Sequence, residues 1–243
     1  PMLGAVADAG GWRKWFLALF AGLGAAATAG VCWAPQHAWL SAAAVFGTAS
    51  FGFAAANVFY DAMLVDVASR RQFDRISGFG YALGYLGGGL LLAGHLVLVL
   101  KPHWFLLGDA AQAVRAVFVT VAVWWLVFTL PLLRCVTIER PPRRQSLQSA
   151  AAAGFAQLRG TCSRIRLLRP VWLFLIAYWL YIDGVNTVMK VAIDFGYKLG
   201  IEQQDLMLAL LMVQFISFPA ALACGKLGER LGLKRALLWG IAV

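Results

Sequence analysis

The chain of 243 residues is 61% hydrophobic and only 13% charged, with a mean hydropathy of +0.74. Soluble domains carry about a quarter charged residues, so this composition excludes a disordered chain and a disulfide scaffold and argues against a water-soluble enzyme. The net charge of +10 would suit nucleic acid only if the basic residues shared a solvated surface. Instead they fall in short clusters between apolar stretches of about 20 residues, the length that crosses a bilayer. Cys32, Cys135, Cys162 and Cys224 show no C-x-x-C spacing, so neither a disulfide framework nor a zinc site is indicated. The chain reads as an all-α polytopic membrane protein.

Apolar runs between charges predict six complete spans, at 15–34, 39–63, 76–100, 111–133, 171–194 and 206–224. Ahead of the first, Pro1 to Gly4 lack the basic leader of a signal peptide and read as the last turn of an earlier span. A seventh run begins near Arg235 and reaches Val243, too short to cross the roughly 30 Å hydrocarbon core. The expectation is an excerpt of a longer protein, open at both ends. Arg13 and Lys14 precede the first span, and Arg70, Arg71 and Arg75 follow the second. Eight basic residues lie from Arg134 to Arg169, and Lys226, Arg230, Lys234 and Arg235 follow the sixth span. The opposite connections hold only Lys101, Arg115 and Lys198. By the positive-inside rule the rich set, at 13–14, 70–75, 134–169 and 226–235, is cytoplasmic. The net charge then marks orientation and contact with anionic lipid rather than nucleic-acid binding.

The long connection 135–169 opens on a hinge, Pro141 to Arg144. Leu147, Ala151, Phe155, Leu158, Cys162 and Ile165 follow at spacings of three and four, with Arg159, Ser163 and Arg166 off that face. This predicts a basic amphipathic helix lying on the cytoplasmic membrane face as a linker between bundles.

Two of the basic connections share a pattern. Gly4, Val6, Asp8, Gly11, Arg13 and Lys14 align with Gly225, Leu227, Glu229, Gly232, Lys234 and Arg235 at an offset of 221 residues, and Arg230 follows the second acid. The first glycine lets helices approach, the acid sits at a helix end, the second glycine makes a tight turn, and the basic pair marks the membrane edge. Two matches with six spans per period argue for a duplicated six-helix unit.

The doubled loop resembles the signature between helices two and three, and again eight and nine, of the major facilitator superfamily. Asn57-Val58-Phe59-Tyr60-Asp61-Ala62-Met63-Leu64, Ser77 to Gly89, and Ala177-Tyr178-Trp179-Leu180-Tyr181-Ile182-Asp183-Gly184-Val185 are similar to its vacuole-effluxer-like branch of autophagy-related amino-acid effluxers. Ala9 stands where an arginine is usual, and Ile182 where that branch often has asparagine. The resemblance implies a partial major-facilitator-type bundle, with helices three to eight complete and stubs of two and nine. On that reading 1–134 is part of the amino-terminal six-helix bundle, 135–169 the cytoplasmic linker, and 170–243 the start of the carboxy-terminal bundle. It also implies a secondary transporter exporting a small solute, an amino acid among the candidates, and a monomer when full length. The Ala-, Arg- and Gly-rich usage points to a bacterial inner membrane.

Among residues suited to chemistry, Asp183 lies mid-span, where an ionised carboxylate costs about 2.5–3.5 kcal/mol on insertion scales. Asn186, Thr187, Lys190 and Asp194 share its face, and Gly184 is expected to loosen the helix. One reading is a site for a substrate ammonium or a coupling proton; the other is a buried pair that only fixes packing. Lys190 and Asp194, four apart, have the spacing of an ion pair, as do Asp66 and Arg70. Asn57, Tyr60 and Asp61 are placed to line a central cavity or to hydrogen-bond a neighbouring helix. Gly80, Gly84 and Gly88 form a ridge that permits close helix crossing. Gln214 offers a polar contact and Pro219 a kink, while Tyr85, Tyr178, Trp179 and Tyr181 are candidates for an aromatic cavity wall. His37, His95 and His103 are too dispersed for a metal site. Neither catalytic triads, zinc motifs nor ATP-binding loops occur, so no cofactor is expected and energy would come from a gradient or from the solute. The competing reading is a non-transporting sensor or scaffold that recruits a partner through the basic loop; an enzyme ranks third.

Overall fold

The computed structural model describes residues 2–33, 38–69, 72–137 and 147–232, with the isolated positions 235, 238 and 240; at 147, 148, 150 and 166 it describes the backbone alone. Every regular element among them is helical: α1 (Met2–Gly10), α2 (Arg13–Gly30), α3 (Trp39–Ala62), α4 (Leu64–Val67), α5 (Phe73–Leu100), α6 (Ala110–Cys135), α7 (Leu147–Leu167), α8 (Arg169–Lys198) and α9 (Gln203–Leu231). The six segments built on α2, α3, α5, α6, α8 and α9 are long and apolar enough to cross a membrane. This is an integral membrane protein, a partial helical bundle of the expected type.

The helices outlast the apolar runs that foretell them. α8 continues past 194 to Lys198, and α9 past 224 to Leu231. A charge does not break a helix; backbone geometry and caps do. The α8–α9 turn contains Gly200 at φ +85°, and α9 stops at Gly232 at φ +79°, conformations that cost a β-carbon-bearing residue. α6 begins where the Asp109 carboxylate accepts the Gln112 backbone N–H at 2.7 Å, an N-cap that satisfies one orphan donor. Pro170 stands in the first turn of α8, where its missing N–H costs nothing. Pro131 and Pro219 lie inside α6 and α9, which stay continuous through them.

The helix ends sort to two sides. Lys14 Nζ donates to the Leu133 carbonyl at 2.9 Å, joining the start of α2 to the end of α6. Cys32 Sγ donates to the Arg115 carbonyl at 3.0 Å, joining their other ends. The start of α2 and the end of α6, which carry Arg13, Lys14 and Arg134, therefore lie on one side.

The core lies where α2 is held between α3 and α6. Phe59 of α3 stacks on Phe16 and Phe20 of α2, with ring centroids 5.4 and 5.9 Å apart, and Ala21, Ala56 and Met63 close around them. Lipid supplies no hydrophobic drive between helices, so such contacts work through packing and close approach. Gly52 supplies the approach: a β-carbon there would lie 2.7 Å from Gly24 Cα and 2.9 Å from the Phe20 carbonyl oxygen. Trp125 of α6 lies over Gly24 from the other side.

The amphipathic loop helix forms as α7, yet it is seated on α1. A β-carbon at Gly154 would sit 3.0 Å from the Ala5 carbonyl carbon and the Val6 nitrogen. Phe155, on the apolar face expected to lie on the membrane surface, is exposed. The hinge at Pro141 to Arg144, together with Arg70, Arg71, His37, Lys234 and most of the seventh run, lies outside the described residues.

Candidate functional site

α5 and α9 run antiparallel in a long seam. Asp74 lies against Gly228 near one end, Gly78 against Gly225, and Gly88 and Gly89 against Gln214 three turns along. A β-carbon on Gly78 would fall 2.9 Å from Gly225 Cα and 3.1 Å from the Ala221 carbonyl oxygen. Ala82 between them is fully buried. The backbones approach most closely at Gly78, and Gly89 receives the Gln214 and Phe215 side chains, so the contact does not run straight along the ridge of Gly80, Gly84 and Gly88. Gly88 meets the Gln214 amide and the Gly80 side of α5 meets the Tyr60 hydroxyl, whereas Gly84 faces open space. Residues strictly four apart drift around a helix of 3.6 residues per turn, so no such row stays on one seam.

Beside this seam opens a cavity of about 530 Å³ lined by Ser77, Tyr81 and Tyr85 of α5, Tyr181 of α8, and Ser217 and Cys224 of α9, with Asp74 at its edge. Its size is that of a small-molecule site. From α3, Tyr60 and Asp61 approach the same region: Asp61, Tyr60, Tyr85 and Tyr178 all lie within electrostatic reach of the Tyr81 phenol. Tyr81 is the member that sequence reasoning missed; its spacing of four from Tyr85 was the available signal. Trp179, by contrast, does not line the cavity.

The acid expected to dominate lies elsewhere. α8 is unbroken through Gly184, and nothing meets that glycine within 4 Å. Asp183 is two residues from Tyr181, about 200° around the helix, so the side of α8 that carries Tyr181 to the cavity carries Asp183, Asn186 and Lys190 away from it. These three are exposed. Lys190 does not pair with Asp194; Lys198 Nζ does, at 2.6 Å. The acid-before-lysine order is the favourable one for residues four apart on a helix, and only Lys198 satisfies it. α8 meets α9 near their shared turn, where Gly196 receives Leu206.

The first of the repeated loops is a polar latch. Arg13, at the start of α2, bonds Asp8 of α1 at 2.5 Å and Asp66 of α4 at 3.0 Å. Asp66 thus joins Arg13 from 53 positions away, in place of the neighbouring Arg70 suggested by spacing. The pair also forms despite Ala9. Gly11 turns the chain between Asp8 and Arg13 at φ +68°, and its counterpart Gly232 also takes a positive φ, +79°. The first glycines differ: Gly225 packs on α5, while Gly4 meets nothing within 4 Å. Glu229 and Arg230 occupy the last turn of α9. Among the described residues no group of three His, Cys, Asp or Glu is placed to hold a metal ion.

The family model described as "Vacuole effluxer Atg22 like" matches residues 1–72 and 65–243, which together cover the whole chain. The chain belongs to this family. It is 33% identical over 249 residues to the "Uncharacterized MFS-type transporter YxiO" of Bacillus subtilis (strain 168), covering all of this chain and 56% of that protein. It is 30% identical over 145 residues to "Autophagy-related protein 22" of Coccidioides immitis (strain RS), covering 56% of this chain and 23% of the relative. A second "Autophagy-related protein 22", from Yarrowia lipolytica, is 29% identical over 141 residues. The chain therefore spans about half the length of the bacterial relative and under a quarter of the fungal ones. No solved structure matches it.

Proposed function

We propose that this chain forms the centre of a secondary active transporter that moves a small solute across a membrane by alternating access. Its carrying observation is the α5–α9 seam. Two sets of helices, from 1–134 and 170–243, meet there through glycine and alanine, beside an open cavity of about 530 Å³. A seam whose closest approach is backbone on backbone at Gly78 and Gly225 lets rigid halves tilt against one another, and a cavity at the junction of halves is where such motion exchanges access. The solute or a coupling proton contacts Asn57, Tyr60, Asp61 and Gln214 around this junction. Asp183, Asn186 and Lys190 form a second polar surface for the same purpose on the other side of α8.

The family name and the MFS-type relative support export, with an amino acid as the first solute class to examine. The positive connections support placing the Arg13, Asp74 and Gly228 end in the cytoplasm, and the bacterial relative supports an inner membrane. The protein works as a monomer, with lipid as its surroundings. The test is solute flux by intact protein in proteoliposomes, across a metabolite panel with and without a pH gradient. Saturable flux of one solute class supports the reading. Correctly folded protein that moves none of them removes it and favours a scaffold built on α7.

A further inference from the structure

The cavity beside the α5–α9 seam is one-sided. On α5 its wall runs from Asp74, in the first turn, to Tyr85 near the middle of the helix. On α9 it runs from Gly228, close to the end, back to Ser217 at the middle. Either stretch covers about 16 Å at 1.5 Å per residue, roughly half of the hydrocarbon core. Beyond it the seam is filled: a β-carbon on Gly89 would lie 3.3 Å from Gln214 Cβ and 3.5 Å from Phe215 Cζ. The end that the cavity reaches is the basic-rich one, because Arg13 at the start of α2 bonds Asp66 of α4, which stands a few residues ahead of α5.

The wall is polar along one line. Asp74, Ser77, Tyr81 and Tyr85 follow at spacings of three and four and so share one face of α5. The opposite side of α5 carries Phe79 and Leu83, apolar and exposed. Across the cavity α9 presents Ser217, Ala221, Cys224 and Gly228, at the same spacings and all small, so the groove between the helices stays unfilled. Serine and threonine inside a helix can return the hydroxyl to their own backbone, as Thr28, Thr48 and Thr129 do with the carbonyl four residues back. Ser77 and Ser217 make no such bond within their helices, which leaves both hydroxyls uncommitted there. Polar groups in a row to the middle of a span are costly in lipid and mark solute or ion paths.

We propose that this cavity is the half-channel through which the solute passes between mid-membrane and the basic-rich side, with Asp74, Ser77, Tyr81 and Tyr85 as its polar track. The hydroxyls exchange hydrogen bonds with the polar groups of the passing solute in place of water, and the Asp74 carboxylate meets a positively charged group at the mouth. The row is longer than one amino acid, so a solute of that size engages neighbouring members in turn. The packing of Gln214 and Phe215 on Gly88 and Gly89 closes the path on the far side. Cys224 places a thiol in this wall, whereas Cys32, Cys135 and Cys162 do not line it. The inference rests on the transport reading and adds which residues carry the solute, and toward which side.

Thiol accessibility in the intact protein tests it, with every cysteine but Cys224 replaced by serine. A membrane-impermeant methanethiosulfonate reagent is added to one face of membrane vesicles at a time. Cys224, and Ser77→Cys in a background without cysteine, should react from the basic-rich side. Both should react about tenfold or more faster than Leu83→Cys on the lipid side of α5, because the reactive thiolate forms in water and not in apolar surroundings. From the opposite side neither should react. Modification of Cys224 should cut flux of the solute found by the metabolite panel several-fold, and Asp74→Asn and Tyr81→Leu should raise the KM for that flux. Reaction of Cys224 from the opposite side, reactivity no greater than that of Leu83→Cys, full flux after complete modification, or an unchanged KM in both variants would each overturn the proposal. Cys224 is native, so the comparison of the two faces stands even if a variant fails to fold. Flux without one-sided labelling removes the half-channel and leaves transport. One-sided labelling of a protein that moves no solute overturns the transport reading and the track with it, leaving only a one-sided water-filled cavity.

Discussion

The α5–α9 seam yields a paired prediction, because two glycines six residues apart on α5 face opposite surroundings. At Gly78 an added β-carbon would lie 2.9 Å from Gly225 Cα and 3.1 Å from a backbone oxygen. Carbon atoms pack best at roughly 3.5–4.0 Å, so α5 and α9 must part by ~0.6 Å, and no flexible side chain is there to give way. At Gly84 nothing lies within 4 Å. Both Gly→Ala changes gain helix propensity of about 1 kcal/mol, but only Gly78→Ala meets overpacking, which costs about 1–3 kcal/mol. Gly84→Ala is therefore expected to be neutral or stabilising. Gly78→Ala should lie about 1–3 kcal/mol below it, a Tm gap of several degrees at roughly 2–4 °C per kcal/mol. Thermal unfolding of the intact protein in detergent measures the gap, and flux in proteoliposomes should fall for Gly78→Ala alone. Coincident melting curves, or Gly84→Ala as the weaker protein, would refute the reasoning.

Other consequences follow from the latch, the core and the outer helix pair. Arg13→Ala removes a bond to Asp66, about a quarter exposed like Arg13 itself, and one to the more exposed Asp8, so a loss of about 0.5–2 kcal/mol is expected. A double-mutant cycle with Asp66→Asn should show coupling, and additive losses would count against the latch. Trp125→Ala opens space over Gly24 and should cost about 2–4 kcal/mol by thermal unfolding. It should also relieve Gly24→Ala, whose β-carbon would collide with that indole; no relief would mean that α6 is placed differently. The Asp194–Lys198 pair is largely exposed, at 61% and 71%, so Lys198→Ala should change stability by less than about 0.5 kcal/mol. A larger loss in detergent would contradict the exposed geometry.

The spans were legible because hydrophobic length is a one-dimensional signal, fixed by bilayer thickness. Their ends were less so: the run of 206–224 says nothing about the further turns to Leu231, which end on the torsion of Gly232. The repeat was readable for a similar reason, since Gly11 and Gly232 mark turns within a few residues of chain. Partnerships between distant segments were not. Asp66 lies four residues from Arg70 in sequence but bonds Arg13 in space, and spacing cannot reveal a partner 53 positions away. The same limit applies at the site. Asp183 stands out in any hydropathy profile, whereas Asp61 lies near a helix end and gains its interest from Tyr81, Tyr85 and Tyr178 on other helices. The acid that lines the cavity is Asp74, placed there by the approach of α5 to α9 rather than by any hydropathy signal.

Whether the two sets of helices tilt about the α5–α9 seam is most directly measured by spin-label distances at both ends of that helix pair in the intact protein. One label pair belongs on Arg75 and Leu231 at the basic-rich end, the other on Leu100 and Gln203 at the opposite end; all four positions are exposed. In membranes, addition of a transported solute should change the two distances in opposite senses, one opening as the other closes. Distances that stay fixed during measured flux, or that change in the same sense, would contradict alternating access about this seam.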